Sequence, residues 1–166
     1  YRRFYYYLHK LVDQQVARVL QRLAASRFRD DTIVVYTSDH GEMLGAHGGM
    51  HQKWHNAYDE TLRVPLLIAG PGIAAGSRVD HLSSHVDLLP TLLGLAGLDA
   101  ERLRAELARR HSEAQPLVGR DLSALARGGA LSDEPVYFMT EDEVSEGLDQ
   151  ERSEERRVGK ECRLTC

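Results

Sequence analysis

The sequence predicts an α/β fold, a three-layer sandwich around a mostly parallel central sheet, of which the chain holds an incomplete part. Three observations carry this expectation. An amphipathic helical repeat opens the chain. A short β-branched run, apolar on both faces, follows it. A second such run comes after a long glycine-rich loop, with further helical segments behind it.

Leu8, Leu11, Val12, Val16, Val19, Leu20 and Leu23 recur at steps of three and four, the spacing of one helix face, and predict a helix over 4–25. Arg29-Asp30-Asp31 is a polar connection. The run from Thr32 to Ser38 has no polar alternation, so it reads as a strand buried inside a parallel sheet. From Asp39 to Tyr58 the apolar pattern stops and Gly41, Gly45, Gly48 and Gly49 crowd in. That segment reads as a loop with at most short helical pieces. Val64 to Ala69 is a second buried strand, ended by the turn Gly70-Pro71-Gly72. Asp87 is expected to cap a helix that tolerates Pro90 in its first turn and stops at Gly97. Another amphipathic helix is expected over 100–111, a short helical turn over 119–125 and a third strand over 135–140. Strands alternating with helices define an α/β sandwich, and in such folds ligands sit at the carboxyl ends of the strands. Asp39 and His40 stand just past the end of the first strand.

The 166 residues are enough for one domain with a core. No window approaches the roughly 18 apolar residues of a membrane span. The net charge of −4 gives no reason to expect nucleic acid as a partner. The chain opens on Tyr1 in a helical repeat, without a basic-then-apolar leader. The natural N-terminus is therefore expected upstream, and the compartment, bacterial cytoplasm or periplasm, stays open. Residues 152–166 look foreign: Arg152-Ser-Glu-Glu-Arg-Arg-Val-Gly-Lys-Glu-Cys162 resembles the translation of a common sequencing-adapter oligonucleotide. Both cysteines, Cys162 and Cys166, lie there, so residues 1–151 offer no disulfide, no cysteine metal site and no cysteine nucleophile.

Asp39 offers an anionic oxygen and His40 an imidazole nitrogen. Adjacent residues can converge on one divalent cation where the backbone turns sharply, and Gly41 permits such a turn. Spacing alone favours the plainer reading, a capping Asp beside a solvent-facing His. Lys53 could pair with an oxyanion and stabilise charge on a leaving oxygen, or be an ordinary surface lysine. His47, His51 and His55 recur every four residues, but Gly48-Gly49 argues against the helix that would gather them on one zinc ion. His51, two residues from Lys53, could share its pocket. His9, His81, His85 and His111 read as structural, and Tyr5-Tyr6-Tyr7 as packing on the first helix.

Tyr36-Thr-Ser-Asp-His-Gly-Glu-Met-Leu-Gly-Ala-His-Gly48, then Lys53, Tyr58-Asp-Glu60 and Arg63-Val-Pro-Leu66, resembles the second signature region of the type I sulfatases. These belong to the alkaline phosphatase superfamily, with arylsulfatases and phosphonate monoester hydrolases as relatives. Val86-Asp-Leu-Leu-Pro-Thr-Leu-Leu-Gly-Leu-Ala-Gly97 and Leu117-Val-Gly-Arg-Asp-Leu122 are similar to later blocks, in the same order. The resemblance covers roughly residues 4–141, the C-terminal part of a catalytic domain. It implies an alkaline phosphatase-like sandwich and a metal-dependent sulfuric ester hydrolase acting on a small-molecule or carbohydrate sulfate ester. Asp39 and His40 match the family's late pair of metal ligands, Lys53 its ester-contacting lysine, and Asp13 an acidic position on the preceding helix. Some members carry Asn where this chain has His40, so the ion implied is calcium, with manganese or zinc as alternatives. Gly49-Met-His51-Gln52 makes the approach to Lys53 about one residue longer than in some relatives, which bears on His51 most. The family's Asp-Asp metal pair and its Cys/Ser-x-Pro-x-Arg motif, the source of the formylglycine nucleophile, have no match here. The resemblance therefore implies a chain inactive alone, and it admits a phosphodiesterase or phosphonate monoester hydrolase as the alternative activity.

The adapter resemblance makes a prediction. Genomic reads should run past Glu151 into a different sequence; independent clones that all reproduce Arg152 to Cys166 would refute it.

Overall fold

A computed structural model describes residues 1–53 and 56–138 of the chain. The chain divides into two compact units, Tyr1–Ala75 and Gly76–Cys166. His55, the residues beyond Phe138 in the expected third strand, and the 152–166 tail with its two cysteines lie outside the described residues.

In the first unit, helix α1 (Arg2–Ala24) forms where the leucine and valine repeat places it. Its apolar face was expected to pack on a core, yet no residue of α1 is buried, and Val12 and Val19 stand exposed. Tyr5 packs edge-on to Tyr6 and tilts against His9, so the tyrosine run makes contacts along its own helix. A single 3-10 turn, Arg29–Asp31, leads to strand β1 (Val34–Thr37).

Strand β1 pairs with β2 (Leu66–Ala69), Val34 opposite Ala69 and Thr37 opposite Leu66. The pairing is antiparallel, which corrects the parallel expectation for these two strands. The reason lies in the link between them. A parallel return needs a crossover of a dozen or more residues, usually a full helix. Here the link holds only two single turns, α2 (Ala46–Gly49) and α3 (Asp59–Leu62), so the chain folds straight back. The strands are not buried either: Tyr36 and Leu67 are exposed. Among the described residues this pair is the whole sheet.

The core of this unit is small and centred on Met43, which is 1% exposed. Its sulfur accepts from Thr61 Oγ1 at 3.1 Å, so the loop after β1 is pinned to α3. Gly41 makes this possible. It was expected to supply a sharp turn through its conformational freedom, but its φ is not positive. A Cβ at Gly41 would instead overlap the Glu60 carbonyl, and the Gly41 N–H donates to Thr61 O at 2.8 Å. The glycine is needed for close approach.

In the second unit, a 3-10 turn (His85–Asp87) opens into α4 (Leu88–Leu95). Asp87 stands at the N-cap position of α4, as expected, but its side chain makes no cap bond to that helix, and the side-chain cap is formed by Ser84 on the 3-10 turn before it. The Ser84 side chain takes the backbone N–H three residues on, and Asp87 reaches back to the Ser84 N–H at 2.9 Å, a reciprocal capping box. Pro90 sits in the first turn of α4 and is buried. Gly97 ends the helix at φ +69, and the Leu98 N–H closes on Leu93 O, a left-handed stop. Asp99 caps α5 (Ala100–Leu107) by accepting from the Arg102 N–H at 3.0 Å. The short helix α6 (Ser123–Ala126) packs on α4, and Leu95, Leu122 and Leu125 form the core between them. No strand forms at Pro135–Phe138.

Asp87 organises this unit. Only 4% of its side chain is exposed, and it accepts from the Ser84 N–H, the Arg120 N–H at 2.7 Å and Arg120 Nη2 at 3.1 Å. Burial pushes its carboxyl up, but the Arg120 and Ser84 N–H groups and the guanidinium outweigh it and hold it below the usual carboxylate range. Removing one partner of a buried pair leaves the other charge uncompensated. Asp87→Ala should therefore cost about 3 kcal/mol in urea unfolding. The folded carboxyl titrates below the unfolded one, near ~3.9. Its contribution is thus present above that pH and lost as pH falls through the lower folded value. Asp87→Asn should flatten that acid limb; an unchanged acid limb would refute the assignment.

Candidate metal centre

Asp39 and His40 leave the carboxyl end of β1 and are fixed by local hydrogen bonds. The Ser38 hydroxyl donates to His40 O at 2.7 Å, and the His40 N–H donates to Asp39 Oδ1 at 2.9 Å. The second carboxylate oxygen, Oδ2, stands 3.5 Å from His40 Nε2. Two ligands held at roughly 2.0–2.6 Å from one ion are themselves about 3–4 Å apart. The pair therefore has the separation of two ligands sharing a cation.

The ring orientation supports the same chemistry. His40 Nδ1 lies 2.8 Å from Gly41 O. A carbonyl can only accept, so Nδ1 carries a hydrogen and Nε2 is the nitrogen that could meet a ligand. A backbone carbonyl behind the distal nitrogen is a common device for orienting a metal-binding histidine. Burial pushes the Asp39 carboxyl up; the His40 ring, the His40 and Asp39 N–H groups and the Lys53 ammonium reverse this and hold it low. Asp39 is thus poised as an anion, and Lys53 acts on the same carboxylate. Among the described residues no group of three or more His, Cys, Asp or Glu side chains is placed to hold an ion. The pair supplies two ligands and a full shell needs more.

Of the other sequence candidates, Lys53 acts on the Asp39 carboxylate through its charge, and His47 and His51 are engaged with other partners. Lys53 is exposed on the turn that follows α2. The His51 ring sits edge-on to Tyr1 with centroids 4.9 Å apart. His47 stacks on Tyr58 at 3.8 Å and its Nε2 meets Glu60 Oε2 at 3.1 Å. The Glu60 backbone N–H and the His47 ring hold the Glu60 carboxyl low. His47 and His51 are therefore engaged with different aromatic partners.

Sequence reasoning passed over Glu42, whose carboxylate accepts from the Gln52 N–H at 2.6 Å and from Tyr1 OH at 2.9 Å. It also passed over Thr61 beneath Met43. An acidic residue two positions past the Asp-His pair was the available signal, but its main partner is a backbone amide, which no side-chain pattern reveals.

Comparison with known proteins gives this geometry its context. The family model described as Sulfatase matches residues 1–98. The choline-sulfatase of Rhizobium meliloti is 40% identical over 103 residues, covering 62% of this chain and 20% of that protein. Among solved structures, a 2-O GAG sulfatase superposes with a TM-score of 0.59 at 35% identity, over 73% of this chain and 24% of its own. The phosphonate monoester hydrolase of Agrobacterium radiobacter superposes with a TM-score of 0.61 at 30% identity, over 89% of this chain and 26% of its own. The chain spans about a fifth of the length of the curated relatives it matches. Its fold is that of part of a sulfatase or phosphonate hydrolase. With the family pattern matched from Tyr1 through α4, this chain belongs to the sulfatase family.

Proposed function

We propose that the chain carries the late half of the metal site, and the ester-contacting lysine, of a metal-dependent sulfuric ester hydrolase. The observation that carries this reading is the convergence of Asp39 Oδ2 and His40 Nε2 within 3.5 Å at the end of β1, with the His40 tautomer set by Gly41 O. The oxygen-plus-nitrogen pair would hold calcium, with manganese or zinc as alternatives. Such an ion, when bound, polarises an ester oxygen as a Lewis acid. In this reading the nucleophile is a formylglycine supplied by sequence outside this chain, and the two strands form part of a larger alkaline phosphatase-like sandwich.

The roles of this chain's own residues follow from their chemistry. Asp39 stays ionised and holds negative charge at the strand end. His40 offers Nε2 and keeps its other nitrogen tied to the backbone. In this reading the Lys53 ammonium pairs with a non-bridging ester oxygen and offsets charge on the leaving oxygen. His51, packed on Tyr1, is the second substrate-side group. The substrate is a small-molecule or carbohydrate sulfate ester. A phosphonate monoester is the second reading, favoured by the broader coverage of the phosphonate hydrolase.

Two outcomes test the proposal. The upstream reading frame should encode an Asp-Asp pair and a Cys/Ser-x-Pro-x-Arg motif, and this chain alone should not turn over an aryl sulfate with added calcium or manganese. A different upstream nucleophile, or hydrolysis by the isolated chain that Asp39→Ala abolishes, would sink it. In the full-length product, Lys53→Ala should lower kcat by about 10²–10³-fold, the scale for losing one oxyanion partner, and leave metal affinity intact. Undiminished turnover would remove Lys53 from the site.

A further inference from the structure

The loop between β1 and Lys53 is closed by a neck, with Glu42 and Met43 on one side and Gln52 on the other. The Glu42 carboxylate accepts the Gln52 N–H at 2.6 Å, and the Met43 N–H donates to the Gln52 carbonyl at 3.1 Å. Both polar groups of the Gln52 backbone are thereby taken up by Glu42 and Met43. Gln52 itself sits at φ +62, a left-handed conformation that costs a side-chain-bearing residue about 1–2 kcal/mol. Such a conformation persists where its surroundings over-determine it. Met43 is buried beneath Thr61 and anchors one side of the neck. Glu42 is held in turn by Tyr1 OH, at the entry to α1. Lys53 is the next residue along.

We infer that Glu42 is a positioning residue for Lys53: its carboxylate holds Gln52 in the left-handed turn that delivers the lysine toward the Asp39–His40 end of β1. This rests on the role proposed for Lys53. The Glu42 carboxylate touches no reacting atom. It fixes a backbone amide, and the direction of the following side chain depends on that amide. A misplacement of about 1 Å can cost a catalytic group 10²-fold, so the effect on turnover is large even though Glu42 is only half-buried.

The test is a double-mutant cycle in the full-length product of the gene that carries this chain, on whichever aryl sulfate or phosphonate ester it hydrolyses. Glu42→Ala should lower kcat/KM by about 10–100-fold. In a Lys53→Ala background the same change should have little further effect, because the group it positions is gone. Gln52→Gly, which adopts the left-handed turn without strain, should restore part of the activity lost in Glu42→Ala. Equal losses from Glu42→Ala in both backgrounds would show a general structural role and overturn the inference. Undiminished activity in Lys53→Ala alone would instead overturn the role proposed for the lysine, and this inference with it. On the chain as it stands, Glu42→Gln should speed hydrogen exchange at the Gln52 amide while the β1–β2 amides keep their protection. An unchanged Gln52 rate would overturn the inference by itself.

Discussion

The first unit depends on one close approach, the Gly41 backbone against Glu60 and Thr61. The antiparallel register of β1 and β2, extended past the strand ends, would set Gly41 opposite Leu62. Its hydrogen-bond partner is Thr61, one residue away. The contact therefore continues the alignment begun by the ladder, after the ladder itself has ended. Between the two lie Ser38, Asp39 and His40, beyond the end of the strand ladder. A Cβ at position 41 would push α3 away. That would remove the lid over Met43 and shift the carbonyl that sets the His40 tautomer. Packing and chemistry are coupled here through a single missing methyl group.

Features that a short window encodes were legible in the sequence. The helix of Arg2–Ala24 follows from its own repeat, the loop after β1 from its glycines, and the stop at Gly97 from the left-handed residue a helix end requires. Features that depend on distant partners were not. Two apolar runs look alike whether they pair parallel or antiparallel; the missing crossover helix decides, and a missing helix is hard to see in a loop of mixed composition. Asp87 holds the N-cap position of α4, but its carboxylate turns to the Ser84 N–H and to Arg120, which is distant in sequence. The capping box and the ion pair use the same carboxylate, so a rule that looks only at the nearest turn names the right residue and the wrong role.

The candidate site divides in the same way. Asp39 and His40 were legible as residue types, but spacing alone could not separate a ligand pair from a cap and a surface ring. Their reading as a ligand pair leans on the ring nitrogen at Gly41 O and on the separation of Nε2 from Oδ2. Lys53 was legible only through family resemblance, since an isolated lysine carries no signal of its own. Its electrostatic effect on Asp39 is a physical link between them. Glu42 was invisible because it acts on a backbone.

The loop after β1 is costly to hold as it is. Leu44, His47 and Gln52 all adopt positive φ, as do Gly45, Gly48 and Gly49 among them, which bear such angles freely. At roughly 1–2 kcal/mol each, three such residues weigh heavily against the few contacts of a small core. Stability alone would favour glycine at these sites. What the His47 side chain gains is attachment, to Tyr58 and Glu60, whereas Gln52 is clamped by Glu42 through its backbone N–H. A glycine at position 47 would bear the turn and lose that attachment. Strain offset by specific bonds fixes a loop in one arrangement, where flexible glycines would leave it many. On the role proposed for Lys53, a loop held in a single arrangement would keep the lysine in one place, which is what the strain secures.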